Sequence, residues 1–280
     1  MALQSAIINV MAGAAKKAAW KLVRDFGEVE QLQVSRKGPA DFVSIADTKA
    51  EKTVVQELTR ARPGYGLLLE EGGERPGKDP RRRWIVDPLD GTTNFLHGIP
   101  HFAISIALEE DGNLVAGVVY HPVTDELFWA EKGRGAYLNN QRLRVSARRK
   151  LDQSLLATGI PFAGRGDAAD HTRFLNEMAT IMPQVSGIRR FGAASLDLAY
   201  VAAGRYDGFW ESGLAPWDIA AGIVLVREAG GMVSEFNGGS DMMKSGEILA
   251  TNSAIHGPVT RLLRDAHKKT ATVDRGVDAN

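Results

Sequence analysis

The sequence predicts a protein of alternating helical and sheet layers, with an α+β first half and an α/β second half. Three observations support this fold class. Apolar residues recur at helical spacing between residues 3 and 26. Short apolar strands separated by turn residues follow one another between residues 102 and 145. From residue 154 onward, predicted strands and helices alternate, which is typical of an α/β arrangement.

The composition is that of an ordinary globular protein and excludes several classes of function. Of the 280 residues, 44% are hydrophobic and 24% are charged. Lysine plus arginine and aspartate plus glutamate both number 34, so the net charge of zero argues against a general nucleic-acid-binding protein. The chain has no cysteine, which excludes a disulfide, a thiol nucleophile and a zinc–thiolate site.

Neither a membrane anchor nor a secretory signal is expected. The apolar run at residues 6–15 is interrupted by Asn9, and the positive charges of Lys16 and Lys17 follow the run, the reverse of a signal peptide. No run approaches the roughly 20 apolar residues that span a bilayer. We therefore expect a cytoplasmic protein that does not contact membranes.

The first half is predicted to pack two helices on a largely antiparallel sheet. The first helix covers residues 3–26, and the second begins at a capping box near residues 44–51 and ends before Pro63-Gly64. Turns are expected at Asp111-Gly112-Asn113 and at Asn139-Asn140. Strands are predicted at residues 67–70, 84–86, 102–109, 114–120, 126–130 and 136–145, with a polar loop at 75–83.

The second half is predicted to alternate between strands and helices. Strands are expected at residues 154–159, 187–191, 206–211 and 248–251, and helices at 170–181, 193–203, from 218 and at 258–267. The chain therefore divides into an α+β half, residues 1–150, and an α/β half, residues 151–267. The polar residues 268–280 are predicted to form a disordered tail.

One stretch, residues 84–95, joins a buried strand to two closely spaced carboxylates. It reads Trp-Ile-Val-Asp-Pro-Leu-Asp-Gly-Thr-Thr-Asn-Phe. Pro88 is expected to stop the strand, and Asp90-Gly91 to form a turn before a short helix. Asp87 and Asp90 would then share one tight loop, where two anions repel each other unless a hard divalent cation lies between them. Each dipeptide is also a common turn signal, so this stretch alone leaves a plain loop as the alternative.

A second stretch, residues 217–231, adds a further carboxylate. It reads Trp-Asp-Ile-Ala-Ala-Gly-Ile-Val-Leu-Val-Arg-Glu-Ala-Gly-Gly and predicts a helix opened by Asp218 and closed by two glycines. Asp218 by itself could merely complement the helix dipole. Together with Leu69-Glu70-Glu71, however, the two stretches resemble the signatures of the inositol monophosphatase family of lithium-sensitive, magnesium-dependent phosphatases. The resemblance runs from about residue 37 to about residue 252.

The resemblance implies a layered α-β-α-β-α sandwich of the sugar-phosphatase type, with the metal-binding loop in the first half. It also implies a homodimer and inhibition by Li⁺. The expected metal ligands are all oxygen donors, and such a strongly anionic set suits Mg²⁺. They are Glu70, Asp87, the carbonyl of Leu89, Asp90 and Asp218.

The expected reaction is in-line attack on phosphorus by a metal-activated water. By resemblance, Glu70 both ligates a metal and contacts the attacking water, and Asp47 lies beside the cluster. Thr92, with Asp47 behind it, could take the proton of the water. For Asp47, a role as a helix cap is the alternative interpretation.

The substrate is expected to meet two segments. The N–H groups of residues 91–93 open a short helix and could hold a phosphate. The resemblance implies that Glu211 binds sugar hydroxyls and that residues 192–194 lie against the substrate ring, although Glu211 could instead be a solvent-facing acid at a strand end. The predicted substrate-binding residues are Asp90, Gly91, Thr92, Thr93, Gly192, Ala193, Ala194, Glu211 and Asp218.

The sequence thus predicts a Mg²⁺-dependent phosphate monoester hydrolase, with inositol-1-monophosphatase as the expected activity. The segment Thr92-Thr93-Asn94-Phe95 resembles this branch of the superfamily more than the nucleotide or fructose bisphosphatases. Two alternatives stay open. One is another phosphatase of the superfamily, acting on fructose bisphosphate, nucleotide bisphosphate or histidinol phosphate. The other is a non-catalytic regulatory scaffold associated with the transcription machinery.

Overall fold

The structure, a computed structural model, describes residues 4–26, 34–36, 42–162 and 166–277, and these form eight α-helices and fifteen strands. The helices are α1 (Ala6–Phe26), α2 (Ile45–Ala61), α3 (Thr92–Leu96), α4 (Ala168–Ile181), α5 (Ala194–Ala202), α6 (Pro216–Glu228), α7 (Met242–Ser245) and α8 (His256–Val277). The strands are β1 (Val34–Arg36), β2 (Phe42–Ser44), β3 (Tyr65–Leu69), β4 (Gly73–Arg75), β5 (Asp79–Asp90), β6 (Ala103–Glu110), β7 (Asn113–His121), β8 (Glu126–Glu131), β9 (Gly135–Leu138), β10 (Gln141–Arg142), β11 (Leu155–Thr158), β12 (Gly187–Arg189), β13 (Gly208–Glu211), β14 (Met232–Ser234) and β15 (Ile248–Thr251).

These elements stack in five alternating layers. Helices α1 and α2 pack together on the outer face of the first sheet. Helices α5 and α6 lie between the first sheet and the second, contacting β6 and β7 on one side and β15 on the other. Helices α4 and α8 cover the outer face of the second sheet. The predicted α-β-α-β-α sandwich is therefore confirmed.

The first sheet has eight strands in the order β10-β9-β8-β7-β6-β5-β3-β4, and only the pairing of β3 with β5 is parallel. Both faces are covered, so its central strands are apolar on both sides. In β5, Trp84 and Val86 face α1 and α2, whereas Ile85 faces the central helices. The hairpin predicted at residues 111–113 is present, with Asp111 and Gly112 both at positive φ (50° and 73°).

The second sheet has five strands in the order β12-β11-β13-β15-β14. Strand β11 is parallel to both of its neighbours, whereas β13, β15 and β14 pair antiparallel. Leu156 and Trp210 face the outer helices, whereas Ala157 and Phe209 face the central ones. This period of two is what a strand buried on both faces requires. Strands β1 and β2 form a separate antiparallel pair.

The prediction that Pro88 ends its strand is wrong, because β5 continues to Asp90. The pairing with β6 shifts between Asp87, which lies opposite Ser105, and Asp90, which lies opposite Ala103. One extra residue is accommodated in β5 at this bulge, where the ladder needs no N–H from a proline. The loop predicted at 75–83 is also too long, since β5 begins at Asp79.

Several helix boundaries differ from the predicted ones, among them those of α6 and α8. Helix α6 begins at Pro216, two residues before Asp218, because proline is well suited to the first position of a helix. Helix α8 continues past residue 267 to Val277, a stretch that contains no proline to stop it. Residue 3, the predicted start of the first helix, and residues 278–280 of the predicted tail lie outside the described residues. The division at residue 150 stays a prediction.

No helix in the described parts of the chain combines the length and apolar character needed to cross a membrane.

Candidate metal centre and active site

A cleft of about 80 Å³ lies where the end of β5 and the end of β13 meet the first turns of α3, α5 and α6. Most of the predicted site residues line it: Glu70, Asp87, Leu89, Asp90, Gly91, Thr92, Thr93, Gly192, Ala194, Glu211 and Asp218. Ala193 is buried beside it, with 1% of its surface exposed. Asp47 on α2 is also buried and lies next to Glu70, which follows β3, so both residues join the elements named above.

The two carboxylates of the β5 bulge are buried close to each other. Asp87 and Asp90 are 2% and 9% exposed. Oδ1 of Asp87 accepts the N–H of Leu89 at 2.9 Å, which fixes the carboxylate against its own loop. Burial, followed by the charges of Glu70, Asp90, Asp218 and Asp47, raises the pKa of Asp87 well above its ordinary value.

This donor set fits a hard divalent cation. The four carboxylates that raise the pKa of Asp87 repel it in the ionised form, and a bound cation would offset that repulsion. Oxygens of Asp47, Glu70 and Glu71 also lie within 4.8 Å of one another, close enough to share an ion. The arrangement therefore defines an acidic cluster that could hold a metal.

Glu51 holds the loop that carries Glu70. Its Oε2 accepts the N–H of Glu71 at 2.9 Å and that of Gly72 at 3.3 Å. The N–H of Glu70 in turn donates to the carbonyl of Val86, beside Asp87. Sequence reasoning assigned Glu51 to a capping box. The signal that could have revealed it is its position one turn after Asp47, because residues four apart share a helix face.

Two more predicted ligands are oriented by local hydrogen bonds. Oδ2 of Asp218 accepts the N–H of Ala215 at 2.7 Å, one turn back at the start of α6. The hydroxyl of Thr92 donates to the carbonyl of Leu89 at 2.9 Å. Since a carbonyl oxygen has two lone pairs, Leu89 can accept this bond and still offer an oxygen to a metal.

The turn after Asp90 requires glycine. Gly91 has φ = 91°, and a Cβ there would lie 2.9 Å from the carbonyl oxygen of His101. Asn94 then ties α3 to the rest of the site, because its Nδ2 donates to the carbonyls of His101 at 2.9 Å and of Phe191 at 2.7 Å. Phe191 precedes Gly192, so Asn94 sets the distance between the two halves of the cleft.

Ser195, at the second position of α5, was not predicted from the sequence. It is fully buried, and both its N–H and its hydroxyl donate to Oδ2 of Asp90, at 2.8 Å and 2.5 Å. A serine within an alanine-rich helix was the only signal, and nothing local connects it to a residue 105 positions earlier.

Glu211 lies across the backbone of Gly159. A Cβ at Gly159 would come within 1.9 Å of the Glu211 carboxylate carbon, so the close approach depends on glycine. Behind Glu211, Asp197 is 1% exposed and its Oδ1 has no hydrogen-bond partner among the described residues. Burial, and then the charges of Glu211 and Asp90, raise the pKa of Asp197 well above its ordinary value.

Arg190 and a larger neighbouring pocket border the cleft. Arg190 is the only cation among the described residues that line the cleft, and its guanidinium lies 6.0 Å from the ring centre of Phe162. A pocket of about 430 Å³ adjoins the cleft and shares Glu70, Glu211 and Asp218 with it. A small polar substrate could therefore lie with one end at the carboxylates and the other in this pocket.

A five-layered sandwich with a carboxylate cluster at the end of strand β5 is the arrangement that the sequence resemblance implied for a phosphatase. The sequence profile of the inositol monophosphatase family matches residues 3–268. An inositol-1-monophosphatase of Mesorhizobium japonicum is 57% identical over 93% of this chain and 97% of its own length. The chain belongs to the inositol monophosphatase family, a family of phosphatases, as the sequence motifs predicted.

Two further relatives carry a different name. The crystal structure of the extragenic suppressor protein SuhB from Bartonella henselae has a TM-score of 0.89 and 57% identity, covering 92% of this chain and 98% of that one. The Nus factor SuhB of Pseudomonas aeruginosa is 48% identical over 88% of this chain and 92% of its own length. Similar proteins thus bear both enzymatic and regulatory names.

Proposed function

We propose that this protein hydrolyses phosphate monoesters of polyols or sugars, with inositol 1-phosphate as a substrate and Mg²⁺ as the metal. The convergence of Glu70, Asp87, Asp90 and Asp218 on one cleft carries the proposal. Such a site attracts a cation strongly and repels a phosphate ester unless the cation is bound. The names of the relatives support the same substrate class.

Glu70, Asp87, Asp90, Asp218 and the carbonyl of Leu89 are the residues that would hold Mg²⁺. When bound, Mg²⁺ neutralises the phosphate and lowers the pKa of the water that attacks phosphorus. The chain supplies orientation, since hydrogen bonds to Leu89, Ala215 and Ser195 hold three of the carboxylates before any ion arrives.

Thr92 is the residue positioned to accept the proton that the attacking water loses. Its hydroxyl donates to the carbonyl of Leu89, so its oxygen is available as an acceptor toward the cleft. Passing a proton onward to Asp47 requires that the hydroxyl turn away from Leu89. Asp47 is 1% exposed and next to Glu70, which suits a group that receives a proton rather than one that only caps α2.

Glu211 is the group proposed to determine which alcohol portion of the phosphate ester is accepted. As a half-buried carboxylate on the wall between the cleft and the larger pocket, it can accept hydrogen bonds from two neighbouring hydroxyls. The N–H groups of residues 91–93, and the turn at residues 192–194, border the same space. An aryl phosphate offers no hydroxyls to Glu211, so we expect polyol phosphates to be preferred.

The test is phosphate release from inositol 1-phosphate by protein stripped of metal and then titrated with Mg²⁺. We expect turnover only with metal, inhibition by Li⁺, and near-complete loss in Asp90→Asn, which removes a charge from the cluster. Asp111→Asn makes the same chemical change on the exposed hairpin between β6 and β7 and should leave the activity unchanged.

The proposal fails if metal-free protein is as active as the Mg²⁺-loaded protein. Fructose 1,6-bisphosphate, adenosine 3′,5′-bisphosphate and histidinol phosphate belong in the same panel. A clear preference for one of them would change the substrate while leaving the metal chemistry in place.

The name Nus factor SuhB, carried by a relative 48% identical to this chain, favours a second candidate role as a regulatory scaffold. The complete carboxylate cluster argues for catalysis, because a scaffold gains nothing from five repelling acids. Complementation decides between the roles: rescue of a deletion phenotype by Asp87→Asn would support the scaffold.

We also propose that the protein is a homodimer. Ile99 and Phe191 are 48% and 45% exposed. Both lie near the cleft, because the N–H of Ile99 donates to the carbonyl of Asn94 and the side chain of Asn94 donates to the carbonyl of Phe191. Burial of exposed apolar side chains is the usual driving force for such assembly. Light scattering at the mass of one 30.3 kDa chain would contradict this.

A further inference from the structure

Ser195 contacts the carboxylate of Asp90 twice. Ser195 donates its backbone N–H and its hydroxyl to the same oxygen, Oδ2 of Asp90, at 2.8 Å and 2.5 Å. Hydrogen bonds to an ionised acceptor are short and strong, and these two come from the first turn of a buried helix. The carboxylate of Asp90 cannot rotate without breaking both bonds.

The hydroxyl of the fully buried Ser195 donates to Asp90. The two residues before Ser195, Ala193 and Ala194, occupy the same buried turn without a polar group. An alanine at 195 would keep the backbone N–H bond to Asp90 and the helix itself, since alanine has the highest helix propensity. The hydroxyl therefore adds one thing, a second bond to Asp90.

Asp90 needs that second bond because its neighbours repel it. Asp87, also part of the bulge, and Asp197, on α5, both interact unfavourably with the Asp90 charge. Without a fixed position, the Asp90 carboxylate would turn away from these anions when no cation is bound. The two bonds from residue 195 oppose that movement.

We propose that Ser195 is a positioning residue for the metal centre: it holds Oδ2 of Asp90 so that Oδ1 faces the cleft, ready for a divalent cation. This inference rests on the proposed function only in taking Asp90 as a metal ligand. Groups that orient a metal ligand from behind typically change metal affinity or activity by about 10–100-fold when removed.

The experiment measures Mg²⁺ and Mn²⁺ binding to the metal-stripped full chain by titration calorimetry, in Ser195→Ala and in wild type. We expect the metal dissociation constant to rise about tenfold or more. Ser195→Cys keeps the shape with a weaker donor and should fall between the two. At saturating Mg²⁺, kcat should return to within a few-fold of wild type, because the cation then holds Asp90.

The matched control is Ser154→Ala. Ser154 is also fully buried and its hydroxyl donates to a backbone carbonyl, that of Lys150, at 2.8 Å, but it does not line the cleft. Ser154→Ala should lose about as much thermal stability as Ser195→Ala, but its metal affinity should not change. If Ser195→Ala does not fold, Ser195→Cys carries the comparison alone.

Metal affinity in Ser195→Ala that is unchanged or tighter overturns the inference. Wild-type protein that binds metal but hydrolyses no phosphate ester would instead overturn the proposed function, and the shift in affinity would still decide the role of Ser195.

Discussion

Replacing Gly159 by alanine should displace the carboxylate of Glu211 without unfolding the protein. The added Cβ would lie 1.9 Å from the carboxylate carbon of Glu211 and from one of its oxygens. Gly159 is not at positive φ, so the backbone tolerates alanine there. The clash is with the end of a flexible side chain, and Glu211 can relieve it by swinging away.

The size of the effect follows from that displacement. Carbon atoms in contact are about 3.5 Å apart, so the carboxylate must move by at least about 1.5 Å. A misplacement of about 1 Å at a substrate-positioning group costs on the order of 100-fold in rate. The loss of one charged hydrogen bond alone, about 1.5–3 kcal/mol, predicts roughly 10–150-fold. We therefore expect kcat/KM for inositol 1-phosphate to fall about 10–100-fold.

The assay compares inositol 1-phosphate with p-nitrophenyl phosphate, which has no hydroxyls for Glu211. Activity on the aryl phosphate should change by less than about threefold, and Glu211→Ala should show the same selectivity without any steric change. Gly13→Ala is the control, because a Cβ at Gly13 in α1 meets no atom within 4 Å.

Full activity of Gly159→Ala on inositol 1-phosphate would refute the reasoning that places Glu211 at the substrate. Equal losses on both substrates would also count against it, since they would mean that the metal cluster itself had moved.

Three further predictions concern stability. Because burial and the charges of Glu211 and Asp90 raise the pKa of Asp197 above its ordinary value, the contribution of Asp197 to stability is complete below about pH 4 and is lost as pH rises; metal-free Asp197→Asn should therefore melt a few degrees higher than wild type at pH 7 and equally near pH 3. Burial lowers the pKa of His101 to about 4, so protonation of His101 in the unfolded chain should remove free energy of unfolding as pH falls from 6.5 toward 4, and the difference between wild type and His101→Phe in denaturant titrations should change over that range. Adding Mg²⁺ to metal-stripped protein should raise Tm in calorimetry, because the cation offsets the repulsion around Asp87.

The sequence alone determined the parts of this protein that depend on neighbouring residues. Asp87 and Asp90 lie three residues apart after a buried run, and strand and helix periodicities of 2 and 3.6 residues predicted the individual elements. These signals are local, because side-chain direction repeats along the chain whatever lies opposite. The order of the layers came from the family resemblance. The family resemblance added the distant predicted ligands Glu70 and Asp218, which periodicity could not connect to Asp87 and Asp90.

Local rules also misled at one point. The expectation that Pro88 ends its strand is correct for an ordinary ladder, but the bulge opposite Ala103 and Ser105 removes the need for its N–H. The bulge turns Asp90 toward the cleft. The irregularity at which the sequence rule fails therefore lies within the predicted site.

Only the tertiary structure decided how the site is held together. Ser195 reaches Asp90 across 105 residues, Asn94 reaches Phe191 across 97, and Gly159 accommodates Glu211 from a neighbouring strand. These contacts depend on how the two sheets and the helices between them stack. Sequence periodicity does not show which distant residues this stacking brings together. The roles of the Ser195 hydroxyl and of the missing Cβ at Gly159 follow only from the side chains that the fold places next to them.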